Sequence, residues 1–289
     1  MKQEDFGLIS IIMAAYNAEK TIEQAISSVL NQTYPNFELL VVNDCSKDGT
    51  ARLVENIAAK DSRVRLISNE KNSGVSFTRK HGLEEAKGAW IAILDSDDAW
   101  APEKLEKQID LQNRTNADLL FTGSAFMDAD GKPIDWYLAA PAEVGYRQLL
   151  KQNVLSNSSA LVRKELYAKY YAVGDGMHED FAIWLSILKE GRKAYGVDEP
   201  LLIYRIAKLS KSGNKVKAAK MNWNTYRYVG LNVVETAYYE AWYMFKNVMK
   251  YANLKFSMGG GVTPEEPRRE FEVVFSHPSL YEVEQWRAA

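Results

Sequence analysis

Between Leu8 and Asp98 short apolar runs alternate with amphipathic stretches, and each run ends in a polar cluster. Leu8 to Met13 has the length of a strand, and from Thr21 the residues Ile22, Ala25, Ile26, Val29 and Leu30 recur at i, i+3, i+4, i+7 and i+8, one apolar face of a helix. Glu38 to Val42 predicts a second strand, followed from Thr50 by a helix with Leu53, Val54 and Ile57 on one side. Val64 to Ile67 predicts a third, leading through Asn69 to Gly74 into a helix through Phe77, Leu83 and Ala86. The fourth, Ala89 to Leu94, stops at Asp95-Ser96-Asp97-Asp98. Parallel strands need a crossover of about a dozen residues or more, so this alternation predicts an α/β chain with a mostly parallel sheet flanked by helices. Ligands of such sheets bind beyond the strand carboxyl ends. Tyr16-Asn17, Asp44, Asn72 to Gly74 and Asp95 to Asp98 all fall there.

The acids at the fourth end narrow the chemistry. Carboxylates this close repel unless a cation sits among them, and Mg²⁺ or Mn²⁺ takes oxygen ligands while keeping positions open for phosphate. The stretch reads as a metal-diphosphate anchor, or as a solvated turn in which Asp98 caps the helix after Pro102. No G-x-G-x-x-G follows the first strand and no G-x-x-x-x-G-K-[ST] occurs, which disfavours hydride transfer and a phosphate-loop ATPase. A net charge of -2 argues against nucleic acid as a partner. The single cysteine, Cys45, excludes an internal disulfide or a cysteine metal cluster. With no apolar run of spanning length and a polar start, the chain is expected in the cytoplasm, with contact at a membrane face left open.

Asp118 to Phe126 predicts a further strand, turned at Asp130-Gly131 into Pro133-Ile134. Asn157-Ser158-Ser159 precedes the buried run Ala160 to Val162 and reads equally as a polar lining for a ligand or as a loop leading into a strand. Phe181, Trp184, Leu185 and Leu188 share one helix face, which sets Glu179 and Asp180 at a helix N-terminus, where spacing alone makes them capping residues. Leu201 to Tyr204 reads as a last strand ending at Arg205, a partner for an anionic ligand, or else part of a surface ion pair.

Taken in order, Ser10 to Asn17, Val41 to Thr50, Asn72-Ser73-Gly74 with Arg79, Leu94 to Asp98, and His178 to Phe181 resemble the motifs of the family 2 inverting glycosyltransferases of GT-A fold, in particular those of bacterial surface polysaccharides. The resemblance covers residues 8 to 206. It implies that Ala15, Tyr16 and Asn17 line a nucleobase pocket and that Asp44 accepts the uracil N–H of a UDP-sugar, with Asn72, Gly74, Arg79, Asp95 and Ser96 completing the donor site. Asp97, with Asp95, would hold Mn²⁺ or Mg²⁺, and Asp98 would orient Asp97 from behind. Asp180 would be the catalytic base, with Glu179, His178, Asn157, Ser158 and Arg205 around the acceptor. For His178 a local hydrogen-bonding role stands beside that reading. The chain departs from the family pattern at Asn43, where aspartate is common, at Cys45, where glycine is common, at Lys80, and after Arg205, where no metal-binding histidine follows.

The expected organisation is a transferase unit at 1–206, with a donor half at 8–115 and an acceptor half at 116–206. A basic and aromatic helical extension at 207–256 and a linker and tail at 257–289 complete it. Val229, Val233, Val234, Ala237, Ala241 and Met244 give the extension helical periodicity. It reads as a membrane-docking element, where a polyprenyl-diphosphate-linked saccharide acceptor would lie, or as a helical pair packed on the core with a solvated lysine face. The tail reads as an appended arm, a contact within a homo-oligomer, or a disordered end. Two other functions use similar parts, a sugar nucleotidyltransferase and a silent nucleotide-sugar-binding protein.

Overall fold

The computed structural model describes residues 6–171, 174, 176–206 and 215–258. The first half runs β1 (Ile9–Ala15), α1 (Ile22–Leu30), β2 (Phe37–Asn43), α2 (Thr50–Ala58), β3 (Val64–Ser68), α3 (Val75–Glu85), β4 (Trp90–Ile93), β5 (Ala99–Trp100) and α4 (Lys104–Thr115). Next come β6 (Leu119–Met127), β7 (Pro133–Leu138), β8 (Glu143–Val144), α5 (Tyr146–Lys151), β9 (Leu161–Arg163), α6 (Lys164–Tyr170), α7 (Glu179–Lys189) and β10 (Ala194–Arg205). Two helices close the described chain, α8 (Lys215–Tyr228) and α9 (Val233–Met258).

One sheet in the order β3-β2-β1-β4-β9-β6-β10-β5 carries these elements, with β7 and β8 on its margins. The β3-β2-β1-β4 segment is parallel, as the crossovers require. Beyond β4 the sheet is mixed, since β9 runs antiparallel to β4 and β6 while β10 is parallel to β6. Side chains alternate across it: Ile11, Met13, Leu39 and Val41 face α1 and α2, while Ile12, Leu40, Ile91 and Ile93 face the side of α5 and α7. Burial on both faces is what makes these strands continuous apolar runs. It also fixes register, because a one-residue slip would exchange the two cores.

Helix α3 sits unusually close to the sheet. A Cβ at Gly82 would lie 2.7 Å from Ile12 Cγ2 and 3.1 Å from Val42 Cγ2, so a larger residue there would push the helix away. Its inner face is otherwise small and polar, with Ser76, Thr78 and Arg79 buried beside Leu83. Phe77, expected on that face, is exposed. The expected cap at Asp98 is also absent, because α4 begins at Lys104 behind Glu103 and Asp98 turns inward. The hairpin at Asp130-Gly131 forms as expected, with Gly131 at φ 83° and its N–H donating to Asp128 O at 3.1 Å.

The C-terminal helices pack on the core through Val229, one of the expected residues, and otherwise through tyrosines outside the expected face. Tyr226 and Val229 are buried and Tyr239 and Tyr243 pack against the α5–α7 side. Val233, Val234 and Met244 of the predicted apolar face point to solvent. Residues 207–214 of the expected extension and residues 259–289 of the expected linker and tail lie outside the described residues. Among the described residues no helix is long and apolar enough to cross a membrane.

Candidate active site

The loops after β1 and β2 are laced together by side chain to backbone bonds. Asn17 N–H donates to Ser46 Oγ at 3.0 Å and Asn17 Oδ1 accepts from Lys47 N–H at 2.8 Å. Ala18 N–H donates to Thr50 Oγ1 at 2.8 Å, while Asp48 accepts from the backbone of Glu19 and Thr50. These bonds explain the Ser46, Asp48 and Thr50 positions of the motif as holders of loop shape. Ala15 is buried beneath, its carbonyl accepting Asp44 N–H at 2.8 Å, and Tyr16 stands half-exposed at the strand end. Cys45 has φ 60°, the left-handed conformation that glycine adopts without strain, so its departure from the family pattern falls at a position where the backbone favours glycine.

Asp44 is nearly buried and its carboxylate is well supplied with donors. Ser73 N–H at 2.8 Å and Asn69 Nδ2 at 2.8 Å reach Oδ1, and Gly74 N–H reaches Oδ2 at 2.9 Å. A carboxylate offers about four acceptor sites, so one position on Oδ2 remains for a further N–H. Asn72 Nδ2 donates to Asp44 O at 3.3 Å, and Gly74, at φ 83°, starts α3. Sequence reasoning did not single out Asn69, which also bonds Thr78 and His81. Its place at the end of β3, matching Asp44 at the end of β2, was the available signal.

The acids after β4 separate in role. Asp98 accepts Arg205 N–H at 2.9 Å inside the protein, and burial, then the charges of Asp97 and Asp95, push its carboxyl well above the usual range. Asp97 is exposed at the turn, its pKa raised by desolvation at the strand end and by Asp95. Asp95 takes its N–H to Ser158 Oγ at 3.2 Å, and the carbonyl of Ser158 accepts Trp100 Nε1 at 2.6 Å. The 157–159 turn therefore lies behind the acids, with Asn157 and Ser158 buried. Among the described residues no group of three histidine, cysteine or acidic side chains is arranged to hold a metal. The two outward carboxylates, crowded enough to raise Asp97, fit a hard cation that completes its shell with phosphate oxygens and water.

Arg205 is neither a surface ion pair nor open to a ligand. Its Nε donates to Asp97 O at 2.8 Å, its Nη1 to the carbonyls of Asp128 and Ala129 at 3.4 and 3.3 Å, and its Nη2 to Gln24 Oε1. The buried guanidinium thus clamps the Asp97 turn to the β6–β7 hairpin and to α1.

Arg79 joins the two halves. From α3 it bonds Asp95 with Nη2 and Glu179 Oε1 with Nη1, and against the cost of desolvation those two charges hold it well above the ordinary arginine range. Glu179 is the first residue of α7, buried, with burial pushing its pKa up against the pull of Arg79. Asp180 follows in the first turn, half-buried. His178 precedes the helix, and its N–H donates to Thr225 Oγ1 at 3.0 Å.

A parallel four-strand edge whose carboxyl ends carry laced loops around Asp44 and the paired acids, joined through Arg79 to the acidic start of α7, is the arrangement of a glycosyltransferase of GT-A fold. The comparisons agree. Residues 10–170 match Glycosyl transferase family 2, and the chain belongs to that family. A Bacillus subtilis protein provisionally named teichuronic acid biosynthesis glycosyltransferase TuaG is 38% identical over 220 residues, 76% of this chain and 87% of that one. The Escherichia coli UDP-Glc:alpha-D-GlcNAc-diphosphoundecaprenol beta-1,3-glucosyltransferase WfgD is 35% identical over 249 residues, 86% of this chain and 96% of that one. The crystal structure of S. aureus TarS 1-349 in complex with UDP-GlcNAc superposes with a TM-score of 0.65 at 21% identity, over 88% of this chain and 75% of that one. Family membership decides against the nucleotidyltransferase and the silent binding protein.

Proposed function

We propose that the chain performs one inverting displacement, moving a sugar from a UDP-sugar to a saccharide carried on a polyprenyl diphosphate, in the synthesis of a surface polysaccharide. The observation that carries this reading is the Arg79 bridge between Asp95 and Glu179, which ties the donor-side acids to the acidic first turn of α7. WfgD, whose own name gives a UDP-sugar donor and a diphosphoundecaprenol acceptor, supports the choice of both substrates.

In this reading Tyr16 covers the uracil ring, Ala15 and Asn17 wall its pocket, and the remaining Oδ2 position of Asp44 accepts the ring N–H. Asn72, Gly74 and Ser96 border the ribose and diphosphate. Arg79 holds Asp95 in place for the ribose. Asp97, with Asp95, would hold Mn²⁺ or Mg²⁺, which when bound supplies positive charge to the departing diphosphate. Ser158 and Arg205 fix the backbone of that turn, and Asp98 backs it from inside. Asp180 takes the proton of the attacking acceptor hydroxyl as the new C–O bond forms and the bond to the diphosphate breaks with its electrons on UDP. Glu179 and the His178 backbone hold that turn of helix in position. No covalent sugar–enzyme intermediate is needed, as in the inverting half of glycoside chemistry.

A panel of UDP-sugars incubated with the protein, Mn²⁺ and membrane lipid extract, scored by UDP release, tests the reading. One donor is expected to release UDP, with chelation of the metal stopping it. Release of pyrophosphate from UTP and a sugar phosphate instead, or no UDP from any donor, contradicts it.

A further inference from the structure

The α8–α9 hairpin is apolar on both its inner and its outer side. The inner side is closed: the Tyr226 hydroxyl donates to Leu150 O at 2.6 Å, and Phe181 of α7 meets the rings of Tyr226 and Tyr243 at 5.8 and 5.9 Å. Among the described residues nothing covers the outer side. Val234 is 79% exposed, Tyr238 52% and Phe245 57%, with Ala237 and Ala241 exposed between them. At 3.6 residues per turn these positions form one stripe, which Val233 and Met244 widen. Glu235 and Lys246 flank it on one side and the buried Glu240 on the other. Val216 and Tyr228 of α8 are exposed as well, so most of the large apolar side chains exposed among the described residues sit on this hairpin.

The hairpin also carries positive charge. Lys217, Lys220 and Lys246 are exposed, whereas Glu240 is buried against Asn222 Nδ2 at 2.6 Å, leaving Glu235 as the exposed acid. Lys217, Lys220 and Lys246 outnumber Glu235 among these exposed charges, so a second copy of the chain would set two net positive faces against each other. A bilayer with anionic headgroups would meet lysines with opposite charge and the aromatic and aliphatic side chains with acyl chains. The position suits that partner. Asn224 Nδ2 donates to Gly176 O at 2.8 Å and Thr225 Oγ1 accepts His178 N–H, so α8 is tied to the turn immediately before Asp180.

We propose that the outer face of α8–α9 docks on an anionic lipid bilayer, setting the acceptor end of the site at the surface where a lipid-linked saccharide lies. The proposal rests on the polyprenyl-linked acceptor of the preceding reading, but its test is separate from it. Vesicle binding is measured without any nucleotide sugar, so a failure to release UDP and a failure to dock are told apart.

The full chain is sedimented with vesicles of phosphatidylcholine alone and of phosphatidylcholine mixed with phosphatidylglycerol in equal parts. Binding is expected to the mixed vesicles and to weaken as salt screens the lysines. Tyr238→Ser with Phe245→Ser is expected to lower the affinity at least about tenfold on the mixed vesicles. Lys220→Glu with Lys246→Glu is expected to lower it by about fivefold or more per residue, on anionic vesicles only. Circular dichroism shows that both variants fold, and since all four residues are exposed the two pairs check each other. Absence of binding to mixed vesicles at low salt overturns the proposal, as does binding that neither pair weakens. A dimer in sedimentation equilibrium that Tyr238→Ser with Phe245→Ser converts to monomer also overturns it, assigning the face to a second copy.

Discussion

Replacing Arg79 by methionine removes the guanidinium between Asp95 and Glu179, and the two ends of that bridge respond differently. The Asp95 side chain is 34% exposed, so water screens it and its ion pair contributes about 0.2–1 kcal/mol. The Glu179 side chain is 9% exposed, and a carboxylate left there without its partner costs about 3–5 kcal/mol. Arg79→Met is therefore expected to lower stability by about 3–5 kcal/mol, most of it from the acceptor side. Glu179→Gln leaves Arg79 with Asp95 and removes one charge-assisted hydrogen bond, a loss of about 1.5–3 kcal/mol. The double variant strands no buried charge, so its loss should fall short of the sum of the single variants by about 2 kcal/mol. Urea unfolding of the four proteins, with midpoints compared at constant slope, measures that difference. Losses that add within about 0.5 kcal/mol would show that Arg79 and Glu179 do not depend on one another, and the bridge would lose its meaning.

Other expectations follow from single residues. Cys45→Gly relieves about 1–2 kcal/mol of left-handed strain and gives back about 0.5–1 kcal/mol as chain entropy. A melting temperature higher by about 2 °C is expected, and a fall would mean that the cysteine side chain holds the loop. Arg205→Lys keeps the charge but not the fork that reaches Asp97, Asp128, Ala129 and Gln24, and should lower stability by about 2–3 kcal/mol in urea unfolding, with no change contradicting the clamp. Lys104 is fully buried over the Trp100 ring with Gln108 as its hydrogen-bond partner, and burial pushes its pKa well below the usual lysine range. The unfolded chain then binds that proton more tightly than the folded one, so stability should rise with pH from the folded pKa toward about 10.4. Lys104→Met is expected to remove that slope and to add about 1 kcal/mol near pH 7, checked by melting curves across pH; an unchanged slope would place the cause elsewhere.

The donor half was legible because its signals are local. Apolar runs with alternate faces buried specify β1 to β4, and the polar residues that end them fall at one edge of the sheet without help from the rest of the chain. Asp180 at the start of α7 was legible for the same reason, from the spacing of Phe181, Trp184, Leu185 and Leu188. What the sequence hid depends on distant partners. Asp98 turns inward for an N–H 107 positions away, and Arg205 is buried because three separate segments, the Asp97 turn, the β6–β7 hairpin and α1, offer it acceptors. Phe77 and the Val234 stripe show the limit of periodicity, which finds an apolar face but not what covers it. On α9 the core took Tyr239 and Tyr243, and left the regular stripe outside.

The central claim is that Asp180 removes the acceptor proton in a site whose nucleotide grip lies elsewhere, and one variant measures it most directly. Asp180→Asn keeps the size and position of the side chain while removing its basicity, so sugar transfer, followed as product formed per enzyme, should fall by about 10²–10⁴-fold while UDP affinity in Mn²⁺ stays within about twofold of the parent. Transfer that continues at the parent rate would contradict the account, and the base would have to be sought among other residues.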